Sequence, residues 1–193
     1  MRRSAHSRGF TLIELMTVVV IIGILATIAV PQIVERLRDR RANQAAQEIA
    51  LMYRNARLRA LGQGFAVLVR YDAATGWEVR EATPFGAGTG ACTMQLPFSC
   101  TTNLWNVATN YRVVGGFNVA TYTGITEVMT TTNGLANTFD MCFSPRGRTF
   151  SRTALTGSFA PAVSMVDVAV TRTATSKTRN VSILPNGMAR LSL

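Results

Sequence analysis

Apolar and polar positions follow three regimes along the chain. From Phe10 to Val30 the run is almost unbroken, with Thr11, Glu14, Thr17 and Thr27 as its polar interruptions. A helix of that length and composition is about long enough to cross a bilayer. Past Pro31 the apolar residues Ile33, Leu37, Ala45, Ile49, Met52, Ala56 and Ala60 recur at helical spacing between Arg36, Arg40, Gln44, Gln47 and Arg59. That period predicts an amphipathic continuation of the helix to about Leu61, stopping at Gly62 or Gly64. Pro31 need not end it, because neighbouring packing absorbs a kink at a helix-interior proline.

After Gly64 the period shortens to that of strands. FAVLVRY and WEVRE flank DAATG, a hairpin signal with Asp72 and Gly76 in its turn. A long loop is expected from Thr83 to about Asn103, rich in Gly and Thr. Further strands are expected near YRVVGGF, TFDMCF, VSMVDVAVTR and TRNVSILP, with Asn186-Gly187 turning the last one back into MARLSL. The expected fold class is α+β: a long N-terminal helix, transmembrane and then amphipathic, packed on an antiparallel β-sheet domain. With 193 residues there is room for one anchor helix and one domain with a proper core.

Glu14 stands out against this pattern. A carboxylate at the centre of a membrane helix costs roughly 2.5 to 3.5 kcal/mol, somewhat less near an end, so an acid there asks for a function. The plain reading is a side chain snorkelling to the headgroups. The preceding residues offer another: Met1 to Gly9 is a basic leader carrying Arg2, Arg3 and Arg8 and no acid. Cleavage after Gly9 would leave a free amine on Phe10, and Glu14 lies four residues on along the same helix face, able to neutralise it.

The stretch RGFTLIELMTVVVIIGILATIAVP resembles the type III signal sequence of type IV pilins and type II secretion pseudopilins. The resemblance covers the leader, the Gly9/Phe10 junction, Glu14, the apolar run and Pro31. It implies that a prepilin peptidase cuts after Gly9 and methylates the Phe10 amine. It also implies that Glu14 pairs with a neighbouring subunit's terminus during assembly. The implied organisation is a leader at 1–9, a transmembrane or filament-core helix at 10–30, its amphipathic continuation at 31–62 and a β-rich periplasmic domain at 63–193. Two other readings stay open. One is an ordinary secretory signal cut near Thr27-Ile28-Ala29, in which Glu14 has no task. The other is a plain anchor that keeps its leader. In that case Arg36, Arg38, Arg40 and Arg41, offset by Glu35 and Asp39, blur the charge asymmetry across the membrane.

The body of the chain, QEIALMYRNARLRALGQGFAVLVRYDAATGWEV with FSPRGR and a terminal hairpin containing ILPNG, resembles the GspH/FimT group of minor pilins and pseudopilins. The likeness rests on Ala56-Arg57, Gly64, Trp77 and the turn Phe143-Ser144-Pro145-Arg146-Gly147. Each has a plain structural reading, namely core packing for Trp77 and Phe143 and a type I turn from Pro145 to Gly147. The span 84–136 carries no recognisable signal. The resemblance implies a subunit that assembles through its helix into a type IV pilus or a type II secretion pseudopilus, in a tip or priming complex. The implied partners are other minor and major pilins or pseudopilins, the prepilin peptidase, the inner-membrane assembly platform, and membrane lipid before assembly. The implied location is the bacterial inner membrane, single-pass, and the filament afterwards.

Catalysis finds little footing. The one histidine, His6, lies in the leader, and no phosphate-cradling glycine loop with its lysine is present. No enzyme activity, cofactor or metal is expected. Cys92 and Cys100 bracket a short segment of the long loop, and a bridge between them would stabilise by about 2 to 3 kcal/mol in an oxidising periplasm. Three cysteines also allow Cys100 with Cys142, or no bridge at all. Cys142, in an apolar strand pattern, reads as buried filler.

Charge adds one alternative. There are 20 basic and 10 acidic residues, and losing the leader's three arginines takes the formal +10 to +7. From Ser144 onward Arg146, Arg148, Arg152, Arg172, Lys177, Arg179 and Arg190 face one acid, Asp167. Guanidinium forks suit phosphate oxygens, so Arg146, Arg148, Arg152, Arg179 and Arg190 are candidate DNA contacts. Some FimT-like pilins take up DNA through a Gly-Arg-any-Arg motif, where this chain reads Gly187-Met188-Ala189-Arg190 and keeps only the last arginine. A solvated basic face is the plain account.

Overall fold

A computed structural model describes residues 10–83, 100–101, 104–122 and 124–192, leaving out the side chain at position 38. The chain forms two compact units, 1–40 and 41–193, and the helix α1 (Leu12–Gln63) contributes to both. α1 runs uninterrupted through Pro31 and ends two residues beyond the expected Leu61.

In the first unit α1 is the whole of the described structure. Its start is capped: the Glu14 amide donates to Thr11 Oγ1 at 3.3 Å, and the Leu15 amide to the Thr11 carbonyl at 3.2 Å. The hydroxyls that interrupt the apolar run are satisfied locally, Thr17 donating to the Glu14 carbonyl at 2.9 Å and Thr27 to the Ile24 carbonyl at 2.7 Å. Such back-bonding lets threonine sit in an apolar helix without a polar partner outside it. The large apolar side chains from Phe10 to Leu37 are exposed, and the segment is long and apolar enough to cross a membrane.

In the second unit α1 changes role. Ala42, Ala45, Ala46, Ile49, Ala50, Tyr53, Ala56 and Ala60 are buried at three- and four-residue spacing, a stripe narrow enough for close packing on sheet. The strands are β1 (Val67–Asp72), β2 (Gly76–Ala82), β3 (Tyr111–Phe117), β4 (Ile125–Thr131), β5 (Gly134–Leu135), β6 (Thr138–Phe143), β7 (Thr149–Arg152), β8 (Ala160–Pro161), β9 (Val166–Arg172), β10 (Thr178–Ile183) and β11 (Ala189–Ser192). They form two antiparallel sheets, ordered β3-β2-β1-β6-β7-β8 and β11-β10-β9-β4-β5. The main core joins the helix stripe to Val67, Val69, Tyr71, Trp77, Met141 and Phe143 of the first sheet and to Val166, Val168, Val170, Val181 and Ile183 of the second.

The central strands β1, β2 and β6 of the first sheet are buried on both faces, their alternate residues pointing to opposite sides. Leu68 and Cys142, paired across β1 and β6, join Ala66, Ala82, Cys100 and Trp105 in a second apolar cluster. On that same face the ladder sets Asp140 of β6 between Arg70 of β1 and Arg152 of β7. Asp140 accepts from Arg70 Nε and Nη2 at 2.8 Å each, and from Arg152 Nε at 2.8 Å. Glu81, also buried, is paired with Arg59 at 3.2 Å and Arg112 at 3.0 Å.

Three expectations are corrected here. Cys100 is bonded to Cys142, with Cα atoms 5.5 Å apart, in place of the Cys92–Cys100 bridge. Cys142 is therefore a covalent anchor and not filler, because β6 turns it into the cluster that holds Cys100 and Trp105. Cys92 lies outside the described residues, as does most of the loop expected from Thr83 to Asn103. Arg152, expected at a nucleic-acid face, is 5% exposed and committed to Asp140, to the Gly157 carbonyl at 2.9 Å and to the ring of Phe159. The strands β4, β5, β7 and β8 were not foreseen.

Candidate functional site

Two places gather the residues to which the sequence points. The first is the start of α1. Gly9 lies outside the described residues, and Phe10, 82% exposed, lies two residues before the first helical residue, Leu12. Thr11-Leu12-Ile13-Glu14 has the spacing of a capping box, and the Glu14 amide bonded to Thr11 Oγ1 is one half of that arrangement. The carboxylate thus stands in the first turn, where the helix dipole favours negative charge. It is exposed in the chain by itself and available to a cation. The helix geometry therefore supplies an acid one turn from residue 10 at the head of an unsatisfied apolar surface, the elements that the cleavage and pairing reading needs.

The second place is a pair of turns at one end of the β unit. Between β6 and β7, Ser144-Pro145-Arg146-Gly147-Arg148 closes with Gly147 N to Ser144 O at 3.0 Å and Ser144 N to Arg148 O at 2.9 Å. Between β10 and β11, Leu184-Pro185-Asn186-Gly187-Met188 closes with Gly187 N to Leu184 O at 2.8 Å and Leu184 N to Met188 O at 2.9 Å. The two glycines have φ of +77° and +78°, a left-handed conformation that other residues resist. Proline presets the turn's first corner, so both turns are built from the same instruction, Pro-x-Gly. Gly187 packs on Phe143 and Gly147 lies near Leu61, which brings the turns and the end of α1 together. Arg54 ties the helix to β11 by donating to the Ala189 carbonyl from Nε at 3.0 Å and Nη2 at 2.6 Å.

The candidate arginines divide accordingly. Arg146 and Arg148 are exposed on the first turn, and Arg190 is exposed on β11 just after the second. Arg179 sits at the far end of β10, its Nε donating to Asn43 Oδ1 at 2.6 Å, and buried Arg152 and Arg172 leave the face altogether. Other arginines are held in ion pairs: Arg70, Arg80 and Arg152 are buried, Arg59 is half-buried and Arg112 is exposed. Charge counting along the sequence did not find these networks, because apart from Arg80 with Glu78 the partners are brought together by strand register or helix packing.

Four titratable groups have shifted equilibria: burial pushes up the hydroxyls of Tyr53 and Tyr122, and Glu127 and Tyr71 are shifted beside them. Burial pushes the Glu127 carboxyl of β4 up to about 7, and its Oε2 has no hydrogen-bond partner. Burial, then the Glu127 charge, pushes the Tyr71 hydroxyl up to about 12. Among the described residues no cluster of His, Cys, Asp and Glu could hold a metal ion.

Comparison with known proteins bears on the first place. Residues 4–30 match the prokaryotic N-terminal methylation motif. The type IV major pilin protein PilA of Myxococcus xanthus (strain DK1622) is 44% identical over 52 residues, which is 27% of this chain and 24% of that protein. The chain thus matches about a quarter of the length of this curated relative. Two crystal forms of the type IV minor pilin FimU of Pseudomonas aeruginosa (strain PAO1) are similar at 18% identity. Their TM-scores are 0.41 and 0.43, each over 78% of this chain and over 92% and 87% of the FimU chains respectively. On the motif match and the PilA identity, the chain opens with a type IV pilin-like N-terminus carrying the prokaryotic N-terminal methylation motif.

Proposed function

We propose that this protein is a minor pilin or pseudopilin of the GspH/FimT kind, assembled through its N-terminal helix into a type IV pilus or type II secretion pseudopilus, in a tip or priming complex. The observation that carries the reading is the coincidence, inside the matched motif, of the Gly9-Phe10 junction, Glu14 in the first turn and an exposed apolar helix. In this reading prepilin peptidase cuts after Gly9 and methylates Phe10. The helix then rests in the inner membrane with residues 63–193 in the periplasm, until the assembly platform transfers it to a filament of major and minor subunits. Burying the apolar run drives assembly. Glu14 enforces axial register, because a subunit that leaves the carboxylate unpaired carries a buried charge worth several kcal/mol, about 3 to 5.

The test is surface-assembled major pilin in a strain lacking this protein, with and without complementation by the intact chain. Loss of surface pilin, restored by the intact chain but not by Glu14→Ala, is expected. Unchanged surface pilin together with unchanged protein secretion in the deletion strain would overturn the reading. A second reading, a DNA-binding subunit for natural transformation, has one observation in its favour: Arg146, Arg148 and Arg190 are exposed around adjacent turns. Replacing all three by Ala should then abolish DNA retention and leave assembly intact.

A further inference from the structure

The two sheets end in strands of two residues, β8 and β5, and a cavity of about 300 Å³ opens beside them. A neighbouring cavity of about 260 Å³ shares Thr131, Asn133 and Thr153 with it, so the two form one groove. Its lining is unusual in chemistry. The hydroxyls of Ser151, Thr153 and Ser158 and the side-chain amide of Asn133 line the main cavity, and none of them has a hydrogen bond within the described chain. The edges of Phe139 and Val166, core residues each 3% exposed, supply a narrow apolar wall between them.

Charge decides what could sit there. No acid or lysine is among the described lining residues. The one cation, Arg152, is consumed by Asp140 and the Gly157 carbonyl. An anion would meet no free cation, and a cation no carboxylate. An extended peptide would need ladder positions, yet β8 closes on Pro161, which has no amide hydrogen, and β5 is only two residues long. A neutral, hydroxyl-rich ligand with apolar C–H faces matches both the unengaged donors and acceptors and the apolar wall. The volume is at the lower end of small-molecule sites, roughly 300 to 1,000 Å³.

We propose that this groove is a binding site for an uncharged saccharide residue. The site is separate from the helix by which the chain would assemble, so the proposal stands or falls independently of that function. Sugar hydroxyls exchange hydrogen bonds with Asn133, Ser151, Thr153 and Ser158, and the ring's apolar face lies toward Phe139 and Val166.

The experiment is binding of the full chain in detergent micelles to immobilised glucose, galactose, mannose, N-acetylglucosamine and N-acetylgalactosamine conjugates. Sialylated and sulfated conjugates, and an extended alanine-serine peptide, serve as comparison probes. At least one neutral sugar should be retained in preference to the charged conjugates and the peptide. Thr153→Val with Ser158→Ala, both on exposed positions and harmless to the fold, should weaken that retention about tenfold or more, since each lost neutral hydrogen bond costs about three- to tenfold. Retention of no neutral sugar, preference for the charged conjugates or the peptide, or sugar binding unaffected by the double replacement would each overturn the proposal.

Discussion

The ring of Phe143 occupies the space that a side chain at position 187 would need. Gly187 also has φ of +78°, so two separate constraints hold it to glycine. Gly147 shares the conformation, but a Cβ there would meet only Leu61 Cδ2 at 3.7 Å, an ordinary contact. Gly147→Ala should therefore cost about 1 to 2 kcal/mol from backbone strain alone. Gly187→Ala adds overpacking of about 1 to 3 kcal/mol. Denaturant melts of the two variants should rank them in that order, and equal losses would show that Phe143 yields freely.

Asp140 is the hinge of the buried ion network. Asp140→Ala leaves Arg70 and Arg152 buried without their anion, a loss of about 3 to 5 kcal/mol. Asp140→Asn keeps an acceptor and should lose less. Thermal unfolding followed by circular dichroism distinguishes these outcomes, and a loss under 1 kcal/mol for the alanine variant would mean that water reaches the guanidiniums.

Cys100 and Cys142 are separated by 42 residues in sequence. Closing a loop of that size should stabilise by about 3 to 4 kcal/mol. Reduction, or Cys142→Ser, should lower the unfolding midpoint accordingly and increase solvent quenching of Trp105 fluorescence. Cys92→Ser should leave the midpoint unchanged under oxidising conditions. A drop with Cys92→Ser equal to that with Cys142→Ser would refute the observed pairing.

Glu127 gives the β unit a pH dependence. Its carboxyl is raised from 4.5 to about 7 by burial. The fold therefore favours the protonated form, and the contribution is whole below the unfolded pKa and lost as pH rises through about 7. Between about pH 5 and 8 the melting temperature should fall, and Glu127→Gln should flatten that fall. Parallel profiles for the two proteins would mean that another group carries the effect.

Legibility in the sequence followed the range of the interactions. Strands β1, β3 and β6 stand out because Val or Phe repeats within each, and β2 because Trp77 and Val79 alternate just after the turn glycine. β4, with the sequence Ile-Thr-Glu-Val-Met-Thr-Thr, hid because its inward positions are only half apolar. β7 hid because Thr149-Phe150-Ser151-Arg152 looks like a basic loop until Asp140 is seen beside it. The arginine was read as a surface charge because its partner on β6 is adjacent only through strand register. The same limit applies to the cysteines, whose spacing favoured the nearer pair. The apolar run of α1 was legible because its signal is local, whereas the Thr11 cap at its head was not anticipated.

The two Pro-x-Gly turns have the same gauge. Proline and glycine fix the corner in both, but the residue between them differs: Asn186 Oδ1 accepts from the Met188 amide at 3.0 Å, a turn hydrogen bond that Arg146 in the other does not supply. The scaffold therefore behaves like a pair of matched sockets. At position 146 the electrical character of this end can be rewritten while the frame beneath stays as it is, whereas a change at position 186 also removes a hydrogen bond from the frame.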